Sequence, residues 1–375
     1  MKGYRSDTRG KADGMKIIKR WIKPCHQRPG SRRGSEGSVL VVSFFVLALL
    51  AMFMMTVGYV ARQRFQMVSR LDTRQKLRCI GDSGVQKAIH VLVMHRERHP
   101  TYDSLNQSWS RNEPEFKDVK VGDGFFSVYR SEDFPLDAES SGEEPPAHGL
   151  VDEESKININ AVRSMDILRR LFREATGLSD GEVAAWVDAL EDWIDEDNDT
   201  RSLGAEDRYY RGLNPPYLPR NGVLATLSEL QWIKGITPEI YRKMKPYITL
   251  HSSGRVNLNT ASEPVLSALG FIPSLVSKIK NYRSGRDGLI GTEDDQSFDN
   301  VSTAAQQLAK EGYLSDNERA NFDAVIQSGF LSVKSQFFTA QVLARLEHKK
   351  QAMRVVATFD ERGMIKRWEE TFVGS

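Results

Sequence analysis

Apolar side chains fill positions 38–61 without a single charge, and beyond Ala61 they thin to about every third or fourth residue. The charge-free stretch is 24 residues long. As a helix it would extend about 36 Å, enough to cross a hydrocarbon core of about 30 Å. Past it, Phe65, Val68, Leu71, Leu77, Ile80, Val85, Ala88 and Leu92 keep a helical spacing while charges occupy the other faces. Pro100 is the first strong stop. The pattern predicts one long helix over 38–99, half anchor and half amphipathic stalk. Gly81 and Gly84 weaken it locally by up to about 1 kcal/mol each relative to Ala. They therefore mark either a kink or a packed neighbour.

The rhythm then changes. Residues 118–130 alternate like a strand pair around Gly122-Asp123-Gly124, and 137–149 read as an acidic loop. Positions 155–160 alternate as a short strand. An internal echo begins here: 156–172 (KININAVRSMDILRRLF) matches the pattern of 255–271 (RVNLNTASEPVLSALGF), 99 residues on. Each copy has a basic residue, two apolar-Asn pairs and an apolar helix. In the second copy, Thr260 with Glu263 has the spacing of a capping box. Helices are predicted at 164–176, 180–196, 226–233, 238–246, 301–311 and 315–326. The tail, 330–372, is richer in Val, Phe and Thr and predicts two or three antiparallel strands, with a turn at Asp360-Glu361-Arg362-Gly363. The early strands are too few to be stable alone. They are expected to pair with the C-terminal strands against the stalk, so the helical block becomes an insertion.

Charge adds an orientation. The first 37 residues carry eleven Lys or Arg against three acids, although the whole chain has a net charge of only +2. The positive-inside rule keeps this leader in the cytoplasm and exports the rest. A basic leader ending at Gly37, with the apolar helix starting at once, is the layout of a pilin-like precursor. A secretory signal peptide would instead be cleaved after a shorter apolar run. Gly34 is a rival cleavage point, but cleavage there leaves Glu36 and Gly37 at the helix start. Cys25 and Cys79 flank the apolar run, so no internal disulfide is expected.

The strongest chemical signal is acidic. Eight carboxylates fall between Glu191 and Asp207. Taking Asp195 as position 1 of a loop puts Asp197 and Asp199 at positions 3 and 5, and Glu206 at position 12. That is the ligand spacing of an EF-hand. Thr200 stands where that loop needs Gly, so an EF-hand is not expected. A hard-cation site with oxygen ligands drawn from Asp195, Asp197, Asp199, Glu206 and Asp207 is, with structural Ca²⁺ the expected ion. A second acidic stretch, 286–299, fits no ligand template and reads as an exposed loop. Two hairpin turns, Gly235-Ile236-Thr237 and Gly270-Phe271-Ile272, raise DNA binding of the competence type as the alternative function. Both lack the second Gly that lets phosphate approach the backbone. No hydrolase or nucleotide-binding signature is present, and the seven histidines are scattered, so no enzyme is expected.

Several motifs together resemble the K-type minor pseudopilins of type II secretion, the general secretion pathway protein K family. They are Gly37-Ser38-Val39-Leu40-Val41-Val42, Trp193-Ile194-Asp195, Gly204 to Tyr210 with Pro215-Pro216-Tyr217, Ser228-Glu229-Leu230 and Val256 to Ser262. The resemblance runs from Gly37 to the C-terminus. It implies cleavage by prepilin peptidase after Gly37, methylation of Ser38, and a place at the tip of a periplasmic pseudopilus with I- and J-type minor pseudopilins. It also implies a single pass through the bacterial inner membrane, contact with the secretion platform there, and calcium in the helical insertion. Val42 occupies mature position 5, where most pilins carry Glu, and lack of that Glu is typical of the K type. The leader is longer than the family's usual one, and Met15 offers a second start. The fold expected is α+β. A pilin-like domain is built from the N-terminal helix 38–99, the segment 100–160 and the strands of 330–375. Into it is inserted a helical block, 161–329, of two SAM-like, helix-hairpin-helix-like modules, 161–250 and 251–329.

Overall fold

The computed structural model describes residues 36–131, 147–162, 164–312 and 314–373. The leader and most of the acidic loop expected at 137–149 lie outside these residues. Contacts divide the chain into two units, residues 1–67 and 68–375.

In the first unit the described residues are helical, the opening part of α1 (Glu36–Arg98). Leu40, Met55 and Phe65 are about three-quarters exposed, so this stretch has apolar surface and no protein to cover it. It is long and apolar enough to cross a membrane.

In the second unit, α1 continues to Arg98, two residues short of Pro100, and a short α2 (Glu113–Phe116) follows. Its buried face, Leu77, Ile80, Val85, Ala88 and Leu92, packs on an antiparallel sheet. The strands are β1 (Val119–Val121), β2 (Gly124–Tyr129), β3 (Val151–Asp152), β8 (Phe337–Leu346), β9 (Ala352–Asp360) and β10 (Ile365–Val373), in the order β1-β2-β8-β9-β10 with β3 also on β8. Val128 pairs with Val342, and Val342 with Val355, so alternate residues bring one apolar face to the helix. The two glycines sit at this contact. A methyl on Gly81 would meet Val355, and one on Gly84 would meet Val342 and Phe126. They are close-approach positions in an unbroken helix. Cys79 is exposed and unbonded. The predicted turn forms, with Gly363 at φ +83° and its N–H donating to Asp360 O at 2.8 Å.

The echo is structural. β4 (Ile157–Asn158) pairs in parallel with β5 (Ile248–Thr249), and β6 (Val256–Asn257) pairs in parallel with β7 (Leu331–Ser332). Each pair closes a helical module. The first holds α3 (Met165–Thr176), α4 (Asp180–Ile194), α5 (Asp207–Arg211), a 3-10 turn at Leu227–Trp232 and α6 (Pro238–Met244). The second holds α7 (Glu263–Leu269), α8 (Pro273–Arg283), α9 (Ala304–Glu311) and α10 (Asp316–Gln327). Asparagines repeat their roles. Asn160 Nδ2 donates to Leu224 O at 2.8 Å and its Oδ1 accepts from Leu224 N at 3.0 Å. Asn259 does the same to Phe298, at 2.9 and 2.8 Å. The modules share one core, in which α3 packs on α7 and Arg170 Nε donates to Ala268 O.

Two local expectations are corrected. Residues 227–232 form a 3-10 turn, not an α-helix. Thr260 does not cap α7; Ser262 holds the N-cap position. Pro264 in the first turn and the Glu263–Lys280 ion pair take the place of a capping box, and the Thr260 hydroxyl goes to the buried Asp152 carboxylate at 2.5 Å. That carboxylate is the junction of the two parts of the fold. It also accepts from Ser335 Oγ at 2.7 Å and Asn257 Nδ2 at 3.2 Å.

Candidate metal centre

The acidic loop begins where α4 ends. Ser179 and Glu182 form a reciprocal capping box at the start of that helix, and Val183, Trp186, Val187 and Leu190 bury its inner face. Asp195 is its C-cap. The chain loops out and re-enters a helix at α5, with Glu206 as N-cap residue and Asp207 first in the helix.

The structure divides the acids into two groups. Arg201 neutralises the first: its Nη1 donates to Asp192 Oδ1 at 2.8 Å and to Asp195 Oδ2, and its Nε faces Glu191 at 3.3 Å. These carboxylates keep Arg201 firmly protonated. Asp188 accepts from Leu203 N at 3.2 Å. Gly204 lies against Asp192 so closely that any Cβ would collide with its carboxylate.

The second group shares Asp195 with the first, and its other two members, Asp197 and Glu206, have no ion pair among the described residues. One carboxylate oxygen each of Asp195, Asp197 and Glu206 lies within 4.8 Å of the others. Glu206 is 3 % exposed, and neither of its oxygens has a hydrogen-bond partner among the described residues; nor does Asp195 Oδ1. Burial, then Asp192, Asp195 and Asp197, push the Glu206 carboxyl up to about 7. An acceptor-only, oxygen-only set with orphaned buried atoms fits a hard divalent cation such as Ca²⁺.

The remaining predicted ligands stand apart. Asp199 is exposed, and its N–H donates to Asp197 Oδ1 at 2.8 Å. Asp207 pairs along its helix with Arg211 at 2.8 Å. Asn221, which sequence reasoning missed, reaches the loop instead: its Nδ2 donates to Asp197 O at 3.1 Å and its Oδ1 is buried without a partner among the described residues. The Asn221-Gly222 dipeptide, a turn signature, is the signal in the sequence that could have found it.

Aromatic packing fixes the loop from behind. Trp193, Tyr210, Tyr217 and Trp232 form a chain of ring contacts at 5.2, 5.3 and 5.3 Å. Lys234 Nζ donates to Gly204 O at 2.9 Å. The distinctive run from Gly204 to Tyr217 is thus the support of the acidic loop.

In the second acidic stretch the carboxylates serve the backbone. Asp294 Oδ2 accepts from Arg286 N at 2.6 Å, and Asp295 Oδ2 from Gly291 N at 2.7 Å. Bonds from Thr292 and the Arg286 and Asp287 amides hold the Asp294 carboxyl below its usual range. The hairpin turns are occupied too. A Cβ on Gly235 would meet the Trp186 ring. Asn321 bridges Gly270 O at 3.0 Å and Ile272 N at 3.1 Å, taking an amide that a phosphate would need. Lys278 pairs with Glu318 and Lys280 with Glu263. This geometry opposes the DNA-binding alternative.

Comparison with known proteins agrees with this build. The sequence model of type II secretion system (T2SS) protein K matches residues 150–253, the first module and its lead-in. Type II secretion system protein K of Pseudomonas aeruginosa is 30% identical over 278 residues, covering 70% of this chain and 76% of that one. The Aeromonas hydrophila protein of the same name is 28% identical over 239 residues, covering 62% and 69%. A chain of the GspK-GspI-GspJ complex from enterotoxigenic Escherichia coli superposes with a TM-score of 0.60 at 17% identity, over 82% of this chain and 99% of that one, and so shares its fold. With a long apolar helix running into a sheet, a two-module helical insertion and these relatives, the chain belongs to the type II secretion system protein K family and takes the part of a minor pseudopilin.

Proposed function

We propose that this chain is processed by prepilin peptidase between Gly37 and Ser38, methylated on Ser38, and placed at the tip of the pseudopilus, where it helps initiate assembly and export. The single supporting observation is α1. One continuous helix carries uncovered apolar surface near its start and supplies the core of the sheet near its end. Such a helix can leave the bilayer and enter a filament without refolding. The basic leader then stays cytoplasmic and residues beyond Ala61 face the periplasm. Its partners are I- and J-type minor pseudopilins, by analogy with the GspK-GspI-GspJ complex, together with the inner-membrane platform.

Val42 supports the tip position. A carboxylate at mature position 5 is costly in an apolar setting unless a neighbour's charged N-terminus pairs with it. A subunit with nothing above it has no such neighbour, and Val42 needs none.

Asp195, Asp197 and Glu206 would hold a Ca²⁺ ion, with Asn221 nearby. The ion would supply the positive charge that Arg201 supplies to the other acids, and its part is structural. The chain's role is that of an assembly component, not of an enzyme.

Mass spectrometry of the mature N-terminus in cells with and without prepilin peptidase tests this reading. N-methyl-Ser38 with the peptidase, and an intact leader without it, are expected. The same N-terminus in both strains would overturn it.

A further inference from the structure

The face of the sheet turned away from α1 is polar. Thr339, Gln341, Arg354, Arg367 and Glu369 lie on it by register: Gln341 pairs with Val356 and that with Glu369, while Thr339 pairs with Thr358 and that with Arg367. This face is the floor of a cleft of 380 Å³ whose far wall is the first module, at 225–228 and 241–251. That volume is within the range of small-ligand sites, about 300–1,000 Å³. Lys245, Arg354, Lys366 and Arg367 line it against Glu153 and Glu369. The register shift between Ile365 and Arg367 lets the adjacent Lys366 and Arg367 both reach it.

Two atoms in this cleft lack what they need. Arg354 Nε is a buried donor, and Gln341 Oε1 is a buried acceptor on a side chain only 4 % exposed; neither has a partner among the described residues. Glu153 does not answer them. Its oxygens accept from Thr249 and Thr339, both at 2.6 Å, and it pairs with Lys156. Gln341 faces Val356 and Arg354 faces Leu343, so the two are diagonal neighbours on one face, and together they call for a ligand with both an acceptor and a donor. A simple anion supplies acceptors only. A peptide group supplies C=O and N–H together, and an acidic side chain beside it supplies the acceptor that Arg354 lacks, since Lys366 already pairs with Asp360 at 3.2 Å and Arg367 with Glu369 at 2.7 Å.

We propose that this cleft binds an extended, acidic peptide segment of another protein, with a carboxylate at Arg354 and a backbone N–H at Gln341. Gln341 is on β8 and Arg354 on β9, so the segment lies across the face of the sheet and displaces no strand.

The probe is a fluorescein-labelled decapeptide of alternating Glu and Val, titrated into the full chain in detergent micelles and read by anisotropy. A Gln-Val decapeptide and free glutamate serve as comparisons. The Glu-Val peptide should bind at least about tenfold more tightly than either, and should weaken as salt is raised to about 0.15 M. Arg354→Gln should weaken it by about tenfold, as should the exposed substitution Lys366→Glu, which keeps the test open if the first variant folds poorly. Gln341→Leu should weaken binding while leaving the melting temperature unchanged or higher, which a merely structural glutamine would not do. Equal binding of the Glu and Gln peptides, equal competition by free glutamate, or indifference to both cationic substitutions would overturn the proposal.

Discussion

A methyl group placed on Gly81 would lie 2.7 Å from Val355 Cγ2, so the bare backbone of the stalk helix rests directly on the sheet. Ala is the better helix former by up to about 1 kcal/mol. Overpacking costs about 1–3 kcal/mol. Gly81→Ala and Gly84→Ala are therefore expected to lower the denaturant midpoint of the solubilised chain. Gly58→Ala, with nothing within 4 Å of its added methyl, should not. A rise in midpoint for the first two would contradict the close approach.

The two groups of acids predict a selective response to calcium. At a free ion concentration about a hundredfold above its dissociation constant, Ca²⁺ should add about 2.7 kcal/mol of stability, and a chelator should remove it. Glu206→Gln and Asp197→Asn should abolish the shift. Asp199→Asn and Asp207→Asn should leave most of it in place. Differential scanning calorimetry with and without chelator distinguishes these outcomes.

Asp152 should be among the most sensitive positions in the chain. Its carboxylate collects the Thr260, Ser335 and Asn257 side chains from distant parts of the sequence. Each buried group left unpaired costs about 1–3 kcal/mol. Asp152→Ala should destabilise by about 3 kcal/mol or more, measured by urea unfolding.

The same junction sets a pH dependence. Burial raises Asp152 from 3.8 to about 6, against bonds from Thr260 and Ser335. Burial, then Asp152, raises Glu154 from 4.5 to about 8. A carboxyl whose pKa is higher folded than unfolded contributes its stability fully below the unfolded value and loses it as pH rises through the folded one. This pair should therefore reduce stability steadily between about pH 4 and 8. Glu154→Gln should flatten the upper part of that slope. A slope unchanged in the variant would assign it to other groups.

The repeated asparagines predict matched losses. Asn259→Ala would leave Phe298 N and O unanswered in a buried site, and Asn160→Ala would do the same to Leu224. Asn259 is the more deeply buried, so its loss should be the greater, at about 2 kcal/mol or more. Unfolding of the two single variants and the double variant would check this.

Much of this was legible in the sequence because it rests on periodicity. The long helix followed from a charge-free run and a helical spacing, and the final strands from alternation in residues 330–372. The module repeat was visible because Asn160 and Asn259 recur in the same local pattern. What escaped depends on distant partners. Thr260 has a capping residue's spacing, but a buried carboxylate over 100 positions earlier claims its hydroxyl. Arg201 lay inside the acidic run, yet only the fold shows that it serves Asp192 and Asp195 and leaves Glu206 without a cation. β6 and β7 are each two residues long, too short for any pattern. Gly81 and Gly84 weigh against a helix until Val355 and Val342 are seen opposite them.

The split sheet also dictates an order of events. Gly124 in β2 pairs with Leu346 in β8, so the β1–β2 hairpin waits for its sheet until nearly the whole chain has been synthesised. Meanwhile both modules can close on nearby partners, β4 with β5 and β6 with β7. The middle of the polypeptide settles first and its two ends last. Until residues 337–360 emerge from the ribosome, the apolar side of the stalk lacks the central strands of its sheet. A truncation that spared every helix but removed the final strands would leave that surface open to the wrong neighbours.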